Sequence, residues 1–166
     1  SGAGIEPAII RATQHRQGQE MITEILVDLG TSQGVIGGGG AAEAAVGVGT
    51  SAAHLTRLTT AKFGIITEIR AVVLEDPEPA AVDLVELWVN ASAINAESDV
   101  GSGASGTAGP ADLGTTGQDV STAYDTNVCA NGYLYIANAS GHTGSQTFTA
   151  GKLAIYIHGY VAPDDL

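Results

Sequence analysis

Phe63 to Leu74, FGIITEIRAVVL, is the longest stretch of this chain whose side chains alternate as a β-sheet requires. Ile66, Glu68, Arg70, Val72 and Leu74 fall on one face, and Ile65, Thr67, Ile69, Ala71 and Val73 on the other. One face is therefore continuously β-branched or small, and the other carries a charged pair in its middle. The competing reading, a helix, is opposed by Gly64 at the start, by the paired Ile residues and by Asp76-Pro77 directly after the run. The expectation is a strand with one dry side, stopping at a turn.

The rest of the chain repeats this plan. Met21, Thr23, Ile25, Val27 and Leu29 oppose Ile22, Glu24, Leu26 and Asp28, while Val85, Leu87 and Val89 oppose Glu86 and Trp88 in a strand expected over Val82 to Val89. Tyr133 to Ala137 and Leu153 to Ile157 complete the set of strong strands, and His54 to Thr60 reads as an edge strand. Ile22-Thr23-Glu24-Ile25 recurs as Ile66-Thr67-Glu68-Ile69. Convergence of two amphipathic strands explains the recurrence, the sharper alternative being two related sheet halves. Asp76-Pro77-Glu78-Pro79 reads as a stiff turn with solvated charges. No 10 to 15-residue crossover helix is discernible, and 23 glycines oppose a helical bundle, where each interior one would cost about 1 kcal/mol relative to Ala. The fold expected is all-β, an antiparallel β-sandwich of jelly-roll-like form.

At 166 residues the chain suits one domain. Residues 1–19 read as a flexible N-terminal arm, because Gln14, Arg16, Gln17 and Gln19 surround His15 and fix no period. Residues 20–166 read as one β-rich domain with a glycine-rich excursion around 97–120. Eighteen acids against six bases give a net charge of -12, a field that repels nucleic acid and anionic membrane, so neither is expected as a partner. No apolar run approaches the roughly 18 residues of a membrane helix.

Motifs that carry chemistry are weak. Gly101 to Gly106 has GxGxxG spacing but lacks the strand before and helix after that a dinucleotide site needs, and Gly37 to Gly40 lacks the Lys-Ser/Thr of a phosphate loop. His15, His54, His142 and His158 are far apart in sequence, and Cys129 is alone, so no metal or disulfide pattern emerges. Glu75, Asp76, Glu78 and Asp83 are dense but lack calcium-loop spacing. Glu24 and Glu68 stand mid-strand, without the pocket that a hydrolytic pair requires. Asn90-Ala91-Ser92 and Asn138-Ala139-Ser140 satisfy the glycosylation rule, and ordinary turn residues are the simpler account. No cofactor and no catalysis are expected.

Gly132-Tyr133-Leu134-Tyr135-Ile136-Ala137, followed by Thr149-Ala150-Gly151-Lys152-Leu153-Ala154-Ile155-Tyr156-Ile157-His158-Gly159, resembles the end of small virion structural proteins of tailed bacteriophages from aquatic bacteria. The strands from Ile22 to Leu29 and Ile65 to Leu74 are similar to the opening and middle strands of those proteins. The resemblance implies a capsid cement or decoration protein on the outer surface of the phage head, partnered by the major capsid protein and assembled as a homotrimer. A tail or head-completion component is the structural alternative, and a surface polysaccharide-processing enzyme the enzymatic one. On the aromatic last strand Tyr156, His158 and Tyr160 are the expected subunit contacts. Ile5, Ile9, Ile10, Arg11 and Arg16 are the expected capsid contacts of the arm.

Overall fold

The computed structural model describes residues 1–30, 36–37, 43–79, 84–101, 107–124, 131–139 and 146–161. Among the described residues the structure is nearly all β (56% strand, 6% helix), in two antiparallel sheets facing each other as an all-β sandwich. The strands are β1 (Ile9–Gln17), β2 (Glu20–Asp28), β3 (Ile36–Gly37), β4 (Thr56–Arg57), β5 (Ile65–Glu78), β6 (Val85–Asn90), β7 (Thr107–Ala108), β8 (Asp119–Ala123), β9 (Tyr133–Asn138), β10 (Gln146–Thr147) and β11 (Ala150–Tyr160). A single helical turn, α1 (Thr60–Phe63), precedes β5. The larger sheet has the order β1-β2-β11-β5-β8 and the smaller β4-β9-β6-β7, with β3 and β10 forming a separate two-residue ladder.

The dry faces expected from the sequence meet in one core. Ile25 and Val27, Ile69, Ala71 and Val73, and Leu153, Ile155 and Ile157 project from the larger sheet onto Val85, Leu87, Val89, Leu134 and Ile136 of the smaller. Phe63, Leu58 and Phe148 close its margins. The chain exposes 7385 Å², against roughly 7,600 Å² for a folded monomer of this mass.

Four expectations require correction. Residues 1–17 are not a free arm: Ile5 and Ala8 are completely buried in the core, and β1 forms a hairpin with β2 through Gly18. Ile5→Ala should accordingly cost about 2–5 kcal/mol in urea unfolding, the usual range for a large-to-small core truncation, whereas a solvent-borne arm would register no loss. Second, β5 does not stop at Asp76-Pro77 but runs to Glu78. Pro77 is tolerated because the register shifts there, Glu75 pairing with Lys152 and Glu78 with Ala150, so three residues of β5 span two of β11. Third, the alternation inverts at the start of β5, where Ile66 is buried and Ile65 is 47% exposed. His158 pairs with Glu68 and Gly159 with Ile66, leaving Thr67 as the extra residue that flips the parity. Fourth, the edge strand expected over His54 to Thr60 shortens to β4, and the chain then turns into α1.

The ITEI recurrence does not mark two sheet halves. Both copies flank β11 within one sheet, but Ile25 stands opposite Ile155 and Ile69 opposite Ile157, two residues out of phase. The glycine-rich excursion supplies an edge strand to each sheet, β7 beside β6 and β8 beside β5. Over the outer side of the smaller sheet lies a further cover, in which Ala45, Ala53, Ala96 and Val100 pack on Tyr135 and Ala137. The Tyr135 hydroxyl fastens it, donating to the Ser92 carbonyl at 2.8 Å and accepting from the Ile94 N–H at 2.6 Å.

Candidate functional site

The solvent face of the larger sheet collects most of the side chains singled out in the sequence. Alternation along β11 buries Leu153, Ile155 and Ile157 and turns Tyr156, His158 and Tyr160 outward together. Tyr156 lies between Glu24 of β2 and Arg70 of β5 in the register. The Arg70 guanidinium sits 5.0 Å from the Tyr156 ring centroid and donates through both arms to Asp119 of β8, at 2.7 and 2.9 Å. This fork raises the Arg70 pKa and lowers that of Asp119, through the shared hydrogen bonds first. Burial, with Glu24 nearby, pushes the Tyr156 hydroxyl up. Arg11 of β1 reaches Glu24 at 2.9 Å, so a charged and aromatic row crosses all five strands.

Apolar atoms flank that row. Leu26, Ala154 and Val72 stand side by side on β2, β11 and β5, with Ile10 (53% exposed) and Leu74 (47%) at the same end. On the other side Ile22 is partner to His158, whose Nδ1 is 3.7 Å from Glu20 Oε1 and whose buried Nε2 has no hydrogen-bond partner among the described residues. Tyr160 and Ile65, each 47% exposed, face one another at the margin. The result is a broad, rigid, partly apolar face with fixed charges, suited to docking another surface. The Arg70 fork and the Leu26-Ala154-Val72 row were not legible in the sequence, since each depends on which strands are neighbours.

Of the residues expected to grip a capsid from the arm, Ile10, Arg11 and Arg16 are exposed, while Ile5 is buried and Ile9 is half-buried against the core. Ile5 is thereby corrected from a contact to a core residue. The acidic stretch is also more than solvated charge. Glu75 pairs with Lys152, and Asp76 accepts from the Thr116 N–H and hydroxyl at 2.5 and 2.6 Å, which lowers the Asp76 pKa. Glu24 and Glu68 lie on the same open face, on strands separated by β11. His54 packs edge-on against Tyr133 at 4.9 Å, and burial lowers its pKa. Cys129, His142, Asp83, Gly38 to Gly40 and Ser102 to Gly106 lie outside the described residues. Among the described residues no group of three or more His, Cys, Asp or Glu is arranged to hold a metal ion, and no helix is long and apolar enough to cross a membrane.

One buried acid is under electrostatic stress. Glu86 is 7% exposed beneath the cover of the smaller sheet and accepts 2.8 Å from Trp88 Nε1. Burial raises its pKa, opposed by the Trp88 hydrogen bond and helped by the nearby Glu43 and Asp112. A carboxyl raised in the folded state binds its proton more tightly there than in the unfolded chain. Stability therefore falls as pH climbs from the ordinary carboxyl range through the raised folded value. Glu86→Gln keeps an acceptor for Trp88 and removes the charge. It should raise the thermal midpoint at neutral pH and leave it unchanged in acid below the ordinary carboxyl range, as followed by circular dichroism across pH.

A second structured opening lies under β1. A cavity of about 230 Å³ separates the inner face of the β1-β2 hairpin from β4 and α1. Gln14 Nε2 donates to Thr23 Oγ1 at 2.8 Å and to the Lys62 carbonyl at 2.9 Å, and Lys62 Nζ donates to Thr56 Oγ1 at 2.8 Å. Sequence reasoning missed this opening because its walls come from segments far apart in the chain. No protein-family model, no curated protein and no solved structure matches this chain.

Proposed function

We propose that this protein is a cement or decoration subunit of a tailed-phage head, bound to the outer surface of the shell and acting without catalysis or a cofactor. The observation that carries the reading is the open face of the larger sheet, where Tyr156, Arg70, Leu26, Val72 and Leu74 give a rigid docking area. The strand order supports the jelly-roll form of the sandwich. Along β2, β4, β5, β6, β7, β8, β9 and β11 the chain changes sheet at every step except β6 to β7, leaving sequence-distant strands as neighbours in both sheets. Such double-sheet folds recur in viral capsid domains, lectins and cupins, so the fold contributes an analogy and not a function.

The resemblance of the terminal strands to phage virion proteins adds the partner, a major capsid protein. The net charge of -12 favours the outside of the shell over the phosphate-filled interior. Each subunit would bridge neighbouring shell proteins, and symmetry would multiply a modest contact free energy over many copies. Tyr156, His158 and Tyr160 are assigned to contacts between copies in a trimer, with Ile10, Arg11 and Arg16 of β1 available for the shell. Sedimentation at working concentration should give a trimer that Tyr156→Ala and Tyr160→Ala together convert to folded monomer. Monomer alone, with and without shell, would remove the trimer from the reading.

The function is tested on particles. Heads assembled without the protein should form normally but release DNA or lose shell integrity at lower temperature or after milder osmotic shock than complete heads. Equal resistance of the two particles would show that stabilisation is the wrong function, and a density map of the particle would separate a head position from a tail position.

A further inference from the structure

The sandwich is open beneath β1, and the opening has a defined chemistry. From Ile10 to Gln17 β1 is exposed on both faces, and the inner face of the hairpin stands off from β4 and α1. The cavity of about 230 Å³ that results is floored by Ile25, Leu55 and Phe63, all at most 3% exposed. That volume lies below the roughly 300–1,000 Å³ of pockets for drug-sized ligands, which limits an occupant to a small molecule.

The polar groups at the cavity are biased toward donors. Among the described residues Arg11 is paired with Glu24, Arg70 with Asp119 and Lys152 with Glu75. Lys62 has no carboxylate partner among the described residues, although the chain carries three acids for every base. Its ammonium is held by a hydroxyl instead, Thr56 Oγ1, and lies 5.1 Å from the centroid of the Phe63 ring. An ammonium has three donors, of which this bond uses one. Thr56 and Thr23 both use their oxygens as acceptors, from Lys62 and Gln14, so their O–H groups remain to be donated.

We infer that the cavity is a binding site for a small monocarboxylate with an apolar body, a short alkyl or aromatic acid whose carboxylate meets Lys62 and the Thr23 and Thr56 hydroxyls while its body lies on Leu55 and Phe63. Among the described residues Lys62 is the one charged side chain that lines the cavity; beside several donors it matches a single negative charge, and a charge-assisted hydrogen bond to it is roughly twice as strong as a neutral one. A phosphate dianion would leave charge unmatched against an apolar floor. An alcohol of the same length would leave the ammonium without its counter-charge. This inference is independent of the virion reading, since it concerns a different face of the sandwich from that bearing Tyr156.

The test is a titration of the full chain with hexanoate, benzoate, acetate and hexan-1-ol, followed by amide NMR shifts and calorimetry. Hexanoate or benzoate should saturate with shifts confined to β1, β2, β4 and α1. Acetate, which lacks the body, and hexan-1-ol, which lacks the charge, should each bind at least about tenfold more weakly, the equivalent of about 1.4 kcal/mol. Lys62→Met, at an exposed position that preserves the apolar stem, should lower hexanoate affinity by at least about tenfold with the spectrum of the folded chain retained. Should Lys62→Met prove unfolded, Thr56→Val provides the second variant, with the same loss expected. Absence of saturation by either acid, equal binding of hexan-1-ol, or hexanoate affinity unchanged in a folded variant would overturn the assignment.

Discussion

Ile69→Asp should abolish folding at ambient temperature, or leave a chain at least about 4 kcal/mol less stable, which is most of the 5–15 kcal/mol that holds a typical domain together. Ile69 is completely buried, midway along β5, with Ile157 on β11 and Thr122 on β8 as its lateral neighbours. Its side chain faces the smaller sheet within the common core. A carboxylate there enters a cluster of aliphatic and aromatic side chains that holds no cation among the described residues, so it must either take up a proton or open the sandwich to water. Graded replacements calibrate the effect. Ile69→Val should cost about 0.5–1.5 kcal/mol and Ile69→Ala about 2–5 kcal/mol, in proportion to the methyl groups removed. Urea unfolding followed by far-ultraviolet circular dichroism gives all three values. An Asp variant within about 1 kcal/mol of the parent chain would contradict a two-sheet core at this position.

Gly159→Ala should be nearly as damaging, although it adds one methyl group. A Cβ at Gly159 would stand 1.9 Å from the Phe63 carbonyl oxygen, 3.1 Å from its carbon and 3.3 Å from the Ile65 oxygen. All three are backbone atoms at the junction of α1 and β5, so no side chain can swing aside. This position is also where the β5 register shifts, and the close approach of the two strands depends on the missing side chain. The expected loss is about 3 kcal/mol or more, at or above the upper end for overpacked cores. Gly18→Ala is the control: its φ of +62 disfavours a side chain, but nothing lies within 4 Å of the new Cβ. Only backbone strain of about 1–2 kcal/mol is then expected. Similar midpoints for the two variants in chemical unfolding would show that the β11 approach to Phe63 is not tight.

Alternation of side chains along a strand is a local property, and whatever depended on it alone was determined by the sequence. Five strands are found close to where the pattern put them, and Ile25, Val27, Ile69, Ala71, Val73, Val85, Leu87, Leu153 and Ile155 face the core as their parity requires. Tyr156, His158 and Tyr160 share one face for the same reason. Strands that lack an apolar period became visible only in three dimensions. IIRATQHRQ is β1 because β2 offers a row of backbone groups to pair, and DVSTA is β8 because β5 offers another. Pro77 could remain inside β5 only because β11 shifts register beside it, and Ile65 and Ile66 exchanged faces through a one-residue bulge. The Arg70 fork on Asp119 joins residues 49 apart, and the donor-lined cavity joins Gln14 to Lys62 across 48. Which strands become neighbours, in what register, and which faces remain uncovered are set by contacts between distant parts of the chain, and the local period contains no information about them.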